Sequence, residues 1–335
     1  MNAEIAMFAV SLLYGIPSFL LYVVILFQLV RPKYQKHFDN PFFYLCFLIG
    51  VVDCVGYLEF YLFLNLPTYS FFSSFYGSSI FSPSPLTTGI YFSTYLFTYL
   101  QLFGNCFLTF NRFTCIVFPL KHNKIWRVCF PISIVATVLS ALAPCWYLAT
   151  TAAFYVPLYD ESPDLGFAMV YDAQKYPAFS NGYNMFLSNF VACGLCLFMS
   201  IVSTIFLVIR TSQSSGTTAK SRRAELNLFF MAVIVFLVQI INGLHQVLIY
   251  VAMKDRNDEF LTVLYTLVPW INDLKFLSPP WALLVVSTPI RETVLQSLPL
   301  KLHGHVKKPL IARSMMTVTN VRQLNENRSQ VSPRK

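Results

Sequence analysis

Seven long apolar segments, separated by shorter polar ones, set the pattern of the chain. Each is long enough to cross a bilayer as an α-helix, which takes about 20 mostly apolar residues. Charge, proline or a polar cluster bounds each segment. The pattern predicts an all-α integral membrane protein, a bundle of seven transmembrane helices at Ile5–Val30, Pro41–Leu64, Gly89–Phe118, Trp126–Thr150, Tyr183–Ile209, Leu226–Val251 and Leu261–Val286.

The seven helices form one predicted domain, residues 1–290, followed by a cytoplasmic tail, residues 291–335, which we expect to be mostly disordered. A short amphipathic helix is predicted just after the seventh span, with Thr288 as its cap and Pro289 at its first position. Its apolar face is expected to lie on the membrane and comprises Ile290, Val294, Leu295 and Leu298.

The basic residues orient the bundle. All but four of the 24 Lys and Arg residues fall on one side of the predicted spans; the exceptions are Lys175, Lys254, Arg256 and Lys275. Because cytoplasmic loops carry the excess of Lys and Arg, that side is predicted to be cytoplasmic. An odd number of spans then puts the N-terminus outside and the C-terminus in the cytoplasm.

Composition supports a membrane protein. The chain is 56% hydrophobic and 12% charged, whereas soluble domains are about 25% charged. The net charge of +9 lies mainly at the predicted cytoplasmic face, so we expect contact with the lipid bilayer and no nucleic-acid partner.

The eight cysteines all lie within apolar segments. We therefore expect buried thiols rather than a disulfide framework. Cys193 and Cys196 have C-x-x-C spacing, but no second pair or nearby histidine completes a zinc site. No metal or cofactor is predicted.

The third predicted helix carries a polar stripe along its whole length. At about 100° per residue, one face of roughly 120° contains Tyr91, Thr94, Tyr95, Thr98, Gln101, Asn105, Thr109 and Arg112. Polar groups in hydrocarbon need protein or water partners, so this face is predicted to point into the bundle and line a cavity. The alternative is that these residues only join neighbouring helices by hydrogen bonds.

A shorter polar face in the sixth helix, Gln239, Asn242, His245 and Gln246, lies in its outer half, level with Asn184, Ser188 and Asn189 of the fifth. We therefore predict a ligand pocket, open to the outside, formed by Tyr95, Thr98, Gln101, Asn242, His245, Gln246 and Glu59. For His245 alone, a hydrogen bond between helices is the alternative to a titrating sensor.

Four ionisable residues lie deep within predicted spans: Asp53, Glu59, Asp273 and Lys275. At about 1.5 Å per residue, Asp53 and Lys275 lie at the same depth, which permits an intramembrane charge pair. Asp273, two residues from Lys275, is expected to face nearly the opposite side of the seventh helix.

Three motifs carry a resemblance: the run Tyr14-Gly-Ile-Pro-Ser18, the triplet Asn111-Arg112-Phe113, and the spacing from Pro119 to Trp126. Over residues 8–290 the chain resembles the nematode serpentine chemoreceptors of class gamma, or the sibling class v. The resemblance implies a rhodopsin-type receptor fold in a plasma or sensory ciliary membrane. It also implies a heterotrimeric G-protein partner, with Arg112 as the coupling residue.

The chain departs from the rhodopsin-type pattern at several places. Asn111-Arg112-Phe113 stands where Asp-Arg-Tyr is usual, and Ser278-Pro-Pro-Trp281 stands where Asn-Pro-x-x-Tyr is usual. The usual disulfide to the outer loop cannot form. Coupling to a G protein is therefore implied by the resemblance alone.

These observations predict a chemosensory G-protein-coupled receptor, not an enzyme. The aromatic content of 17% suits a small ligand that is apolar or neutral, and the acidic outer loop 151–182 disfavours an anionic one. A transporter or channel of a small solute is the main alternative. A light receptor with Lys275 as a Schiff-base lysine and an intramembrane enzyme are weaker ones.

Overall fold

The computed structural model describes residues 2–34, 38–158, 165–213, 219–255 and 258–297. The chain divides into two units, Met1–Val294 and Leu295–Lys335. The first contains the helical bundle. Most of the predicted disordered tail, from residue 298 on, lies outside the described residues.

Seven long helices and one short helix make up the bundle region of the described chain, as the fold-class prediction required. They are α1 Asn2–Val30, α2 Pro41–Phe60, α3 Pro85–Val117, α4 His122–Cys145, α5 Asn181–Gln213, α6 Ala219–Lys254, α7 Asp258–Val286 and α8 Thr288–Ser297. Within the described residues, α1, α2, α4, α5 and α6 are long and apolar enough to cross a membrane by length and composition. Helices α3 and α7 carry more polar residues, many of them buried.

Capping residues explain where two of the helices begin. The Asn40 side chain accepts a hydrogen bond of 3.0 Å from the Phe42 amide at the start of α2, with Pro41 in the first turn. Ser84 and Thr87 form a reciprocal capping box at the start of α3. Both arrangements satisfy amides that have no acceptor inside their own helix.

The link from α2 to α3 is almost entirely helical turns. A π-helical turn, Tyr61–Asn65, extends α2, and a short α-helical turn spans Ser73–Tyr76. Three 3₁₀ turns complete the link: Leu66–Thr68, Ser70–Phe72 and Ser79–Phe81. Burial raises the pKa of the Tyr76 phenol to about 12. Its hydroxyl therefore stays protonated at neutral pH and donates to the Leu62 carbonyl.

The link from α4 to α5 contains a β-hairpin that the sequence pattern did not predict. After a 3₁₀ turn, Trp146–Thr150, strands β1 Ala153–Pro157 and β2 Phe167–Tyr171 pair antiparallel, with Ala153 opposite Tyr171; a further 3₁₀ turn, Ala173–Lys175, follows. Gly166 has φ +129°, and a Cβ there would lie 2.6 Å from the Thr68 carbonyl oxygen. Glycine is thus required where the hairpin meets the α2–α3 link.

Side-chain hydrogen bonds dock the hairpin on the bundle. Thr87 Oγ1 donates to the Ala153 carbonyl over 2.9 Å, and the Tyr155 hydroxyl donates to the Phe63 carbonyl over 2.8 Å. The hairpin therefore covers the end of the bundle where α3 begins. We call this the hairpin end and the opposite one, where α7 leads into α8, the α8 end.

Two large hydrophobic clusters fill the bundle. One, near the hairpin end, includes Tyr91, Tyr99 and Tyr147. The other, near the α8 end, includes Phe42 and Trp126. Many apolar side chains on the outside of α1, α4 and α5 are exposed, as expected of helices that face lipid.

Helix α8 forms where the sequence predicted it, but its apolar residues do not share one membrane face. Ile290 and Val294 are 1% and 5% exposed and pack into the cluster near the α8 end. Leu295 is exposed, and Leu298 lies outside the described residues. Residues four apart share a helix face, so the face of α8 that carries Ile290 and Val294 packs against the bundle core and not on the membrane.

Candidate ligand site

The polar stripe of α3 faces the interior, where α3 contacts α2, α4, α5 and α6. Gln101 is 1% exposed, and Asn105, Thr109 and Arg112 are also buried. The threonines of the stripe are satisfied within their own helix. This is clear for Thr98, whose hydroxyl donates to the Thr94 carbonyl, and Thr94 and Thr109 bond to their own helix in the same way. Besides the tyrosines and Arg112, the amides of the stripe are therefore the groups available for contacts between helices.

A small cavity lies among α3, α6 and α7. Its polar lining consists of Gln101, Asn105, Gln239, Asn242, Lys275 and Ser278, and its other lining residues are apolar. About 10 Å³ is open to the centre of a water molecule, which is close to the minimum that one water needs. In this conformation the cavity has room for a water, and a larger ligand would require side chains or helices to move.

Several polar atoms of the lining residues have no hydrogen-bond partner in the described part of the chain. They are Gln101 Oε1, Gln239 Oε1 and Nε2, and Ser278 Oγ. Gln239 is 6% exposed, and a buried amide without partners costs about 1–3 kcal/mol per missing bond. The cavity therefore offers donors and acceptors to a bound molecule.

A proline in α7 explains the position of Gln101. Pro279 has no N–H, so it cannot donate the helical hydrogen bond to the carbonyl of Lys275, four residues earlier. The Gln101 side-chain amide of α3 donates to that carbonyl over 3.2 Å. In membranes, such side chains from neighbouring helices satisfy the backbone groups that proline frees. The contact joins α3 to α7 at the wall of the cavity.

Asn242 joins α6 to α5 beside the cavity. Its side-chain amide donates to Asn189 Oδ1 over 3.3 Å, and the Asn189 amide donates to the Met185 carbonyl of α5 over 2.8 Å. Asn242 and Gln101 are the two predicted ligand-site residues that line this cavity.

The other five residues predicted for the site do not line it. The Thr98 hydroxyl bonds within α3, and the Tyr95 hydroxyl accepts a hydrogen bond of 3.5 Å from Tyr91. Glu59 interacts with Ser93 of α3, and Gln246 is partly buried. His245 Nε2 lies 3.0 Å from the Leu264 carbonyl of α7. The His245 contact matches the interhelical alternative for this residue. Gln239 and Asn105, which do line the cavity, belonged to the predicted polar stripes but not to the predicted site.

Asp53 and Lys275 are both buried and attract each other electrostatically. No direct ion pair joins them in the described chain. Instead, Asp53 Oδ2 accepts a hydrogen bond of 2.5 Å from Tyr22 of α1, and the Lys275 ammonium lies 4.8 Å from the Phe276 ring centroid. The two charges lie near each other, as their equal depth in α2 and α7 predicted. Their side chains point in different directions, however, and contact Tyr22 and Phe276 instead of each other.

Arg112, the last residue of the polar stripe, does not extend to the surface. It is 5% exposed, and its guanidinium lies 3.4 Å from the centroid of the Phe42 ring. Phe42 stands in the first turn of α2, which Asn40 caps. A guanidinium stacks well on an aromatic face, so Arg112 packs against α2.

The link from α3 to α4 is held by a buried hydrogen-bond group beside Arg112. Trp126 Nε1 donates to Thr114 Oγ1 over 2.7 Å, and His122 Nδ1 lies 3.2 Å from the same oxygen. The three residues thus tie the end of α3 to the start of α4, which accounts for Trp126 in the motif from Pro119 to Trp126. Sequence reasoning did not find this group, because only the fold of the α3–α4 link brings Thr114, His122 and Trp126 together.

None of the eight cysteines, all of them described residues, forms a disulfide. The sulfurs of Cys106 in α3 and Cys196 in α5 are 3.6 Å apart. Among the described residues, no group of three or more His, Cys, Asp or Glu side chains could hold a metal ion.

Comparison with known proteins places this architecture in a family. The model of the Srg family of chemoreceptors matches residues 8–294. Serpentine receptor class gamma-31 of Caenorhabditis elegans is 25% identical over 84% of the chain and 89% of its own length. Serpentine receptor class gamma-10 of the same organism is 24% identical over 64% of the chain, and serpentine receptor class V-1 is 31% identical over 33%.

The alignments with gamma-10 and V-1 span 62% and 33% of those relatives' lengths, less than two thirds in each case. The family match, in contrast, extends from the first turns of α1 into α8, and so includes every helix that lines the cavity. A helical membrane bundle with a polar interior is the architecture expected of a serpentine receptor. The chain belongs to the Srg family of chemoreceptors.

Proposed function

We propose that this chemoreceptor binds a small apolar or neutral ligand from outside, between α3, α6 and α7, and signals to a heterotrimeric G protein in the cytoplasm. The observation that carries the proposal is the convergence of buried amide atoms from two helices on one cavity: Gln101 Oε1 of α3, and Oε1 and Nε2 of Gln239 in α6, have no hydrogen-bond partner among the described residues. Purely structural amides would be expected to bond to each other. Amides that do not are available for the polar group of a ligand.

Ligand entry requires the cavity to widen. The Pro279-Pro280 pair at its wall removes two backbone hydrogen bonds from α7, which makes this part of the helix the easiest to bend. The hairpin end would face outside, in agreement with the basic residues near the α8 end. The remaining predicted ligand residues, Tyr95, Thr98, His245, Gln246 and Glu59, would be reached by a ligand that extends from the cavity toward the hairpin end.

The proposed coupling site lies at the α8 end. Arg112 stands three turns of α3 from Gln101, so a ligand in the cavity cannot touch it. A change in how α3 packs on α2 would release Arg112 from Phe42 and present it to the G protein. This gives the receptor two sites joined by one helix, as ligand-controlled signalling requires. The plasma or sensory ciliary membrane is the proposed location.

A transporter of a small solute is the second candidate. It is favoured by the double proline beside the cavity, since hydrophobic segments interrupted by glycine or proline are typical of transporter binding sites. A transporter would move its solute without a G protein. Solute uptake and G-protein signalling can be measured in the same receptor-expressing cells.

The test is a signalling reporter assay in cells that express the receptor with a G protein, screened with small neutral volatile compounds. For an active compound, Gln239→Leu should lower sensitivity by about tenfold or more, the cost of one lost hydrogen bond in a dry site. Leu244→Ala, at a 59% exposed position of the same helix, should leave sensitivity unchanged. An equal shift in both variants, or ligand uptake without a G-protein response, would contradict the proposal.

A further inference from the structure

A second polar cluster lies between α1, α2 and α7, on a different side of α7 from the cavity. We call it the Asp273 cluster: Asp273, Tyr14, Tyr57, Tyr61 and Trp270. Asp273 is two residues from Lys275, so the two side chains leave α7 about 200° apart. Lys275 lines the cavity, whereas the Tyr14 hydroxyl of α1 donates to Asp273 Oδ2.

Asp273 is buried without a counter-charge. It is 3% exposed, and its Oδ1 has no hydrogen-bond partner in the described chain. Asp53 has Lys275 within electrostatic reach, but no lysine or arginine of the described residues interacts with Asp273; its interactions are with tyrosines. A buried charge that lacks a partner is costly, and an ionisable residue inside a membrane bundle points to a functional site.

Aromatic side chains lie near this carboxylate, with Tyr57 and Tyr61 within electrostatic reach of it. The rings of Tyr14 and Trp270 are 6.1 Å apart, and those of Tyr57 and Tyr61 are 5.8 Å apart. Gly15 permits the approach of Tyr57, because a Cβ at that position would lie 2.5 Å from the Tyr57 hydroxyl oxygen. A carboxylate within aromatic faces is the chemistry that recognises an organic ammonium ion, through charge and cation–π attraction.

A row of hydroxyl groups continues from Asp273 toward the hairpin end. The Ser11 and Tyr61 hydroxyls are 3.2 Å apart, and Tyr69, in the α2–α3 link, is within electrostatic reach of both Tyr61 and Asp273. Beyond it, Ser70 donates to Glu4 near the start of α1 over 2.7 Å. Hydroxyls and a carboxylate in this row favour a cation over an anion.

We propose that the Asp273 cluster is a binding site for a small protonated primary amine with an apolar body. The ammonium donates to Asp273 Oδ1, while Tyr14 keeps Oδ2, and the rings of Tyr57 and Trp270 contact its carbon chain. The site is separate from the cavity of α3, α6 and α7, and it depends neither on a neutral ligand there nor on coupling to a G protein.

The test measures binding directly, so failure of the signalling proposal does not affect it. Full-length receptor in lipid nanodiscs is titrated with radiolabelled phenylethylamine, with unlabelled butylamine as a competing amine and phenylethanol as a neutral competitor. We expect saturable binding that butylamine displaces and phenylethanol does not. Asp273→Asn should weaken it about ten- to hundredfold, as for loss of a charged hydrogen bond.

Matched variants separate this site from general effects of charge or folding. Glu292→Gln removes a partly buried carboxylate of α8 and should leave affinity unchanged. Tyr14→Phe keeps the ring while it frees Oδ2, so it should bind at least as tightly as wild type. If Asp273→Asn does not fold, Tyr57→Leu, which removes an aromatic face but keeps the carboxylate, should show the loss. No saturable binding to folded wild-type receptor, equal displacement by phenylethanol, or wild-type affinity in both Asp273→Asn and Tyr57→Leu would overturn the proposal.

Discussion

The side-chain amide of Gln101 in α3 donates to the backbone carbonyl of Lys275 in α7, the carbonyl that Pro279 leaves without a helical donor. Two helices are thereby joined at a point where one of them lacks its own hydrogen bond. The bond is buried, so its loss would leave a carbonyl without a partner in a dry environment. It also forms part of the wall of the cavity, where in the proposed receptor a bound ligand would act on α7.

Gln101→Leu should destabilise the receptor by about 1–3 kcal/mol, because the Lys275 carbonyl is left unpaired. Pro279→Ala returns a backbone N–H to that carbonyl. In the Pro279→Ala background, Gln101→Leu should therefore cost clearly less. Thermal unfolding of the four purified receptors measures this coupling, with Thr98→Val as the control within α3. The same cost in both backgrounds would mean that Gln101 does not replace the proline's missing donor.

The second prediction concerns Asp53 and Lys275. Asp53→Asn and Lys275→Met should each reduce the amount of folded receptor, because each leaves a buried charge without its electrostatic neighbour. The double change should recover part of the loss, with a coupling of at least about 0.5 kcal/mol. Surface labelling and unfolding temperature provide the measurement. Strictly additive losses would show that the two charges act independently.

The third prediction concerns Arg112, and it applies to an active ligand from the reporter screen. Arg112→Ala should bind the ligand normally but give a sharply reduced response, because the proposed coupling group is gone. Arg112→Lys should restore little, since an ammonium cannot stack on Phe42 as a planar guanidinium does. Arg127→Ala, at an exposed position of α4, is the matched control. A full response from Arg112→Ala at normal surface level would remove this assignment and favour the transporter.

The fourth prediction concerns orientation. An epitope tag placed before Asn2 should be labelled on intact cells, whereas a tag after Lys335 should be labelled only after permeabilisation. The reason is the distribution of Lys and Arg about the spans. Accessibility in the reverse order would place the hairpin end in the cytoplasm and contradict the proposed direction of signalling.

The number, type and approximate limits of the long helices were predictable from the sequence, and so was α8. These features depend on the length of each apolar segment and on local signals such as Asn40 before Pro41, which act between residues close in the chain. The inward face of α3 was also predictable, because a helix in lipid must turn its polar stripe toward the protein. None of these conclusions requires knowing which residues of other helices are in contact.

Which polar residues meet was decided by tertiary structure alone. The partner of Gln101 is a carbonyl 174 positions away, and only the packing of α3 on α7 brings the two together. The same packing assigns Tyr22 to Asp53, buries Arg112 on Phe42 and turns His245 to α7. The periodicity of polar residues shows which face of a helix points inward, and the position of a residue along its span shows its depth in the membrane. Neither shows how one helix is rotated or shifted sideways against the next. Those depend on how all the side chains of the interior fit at once.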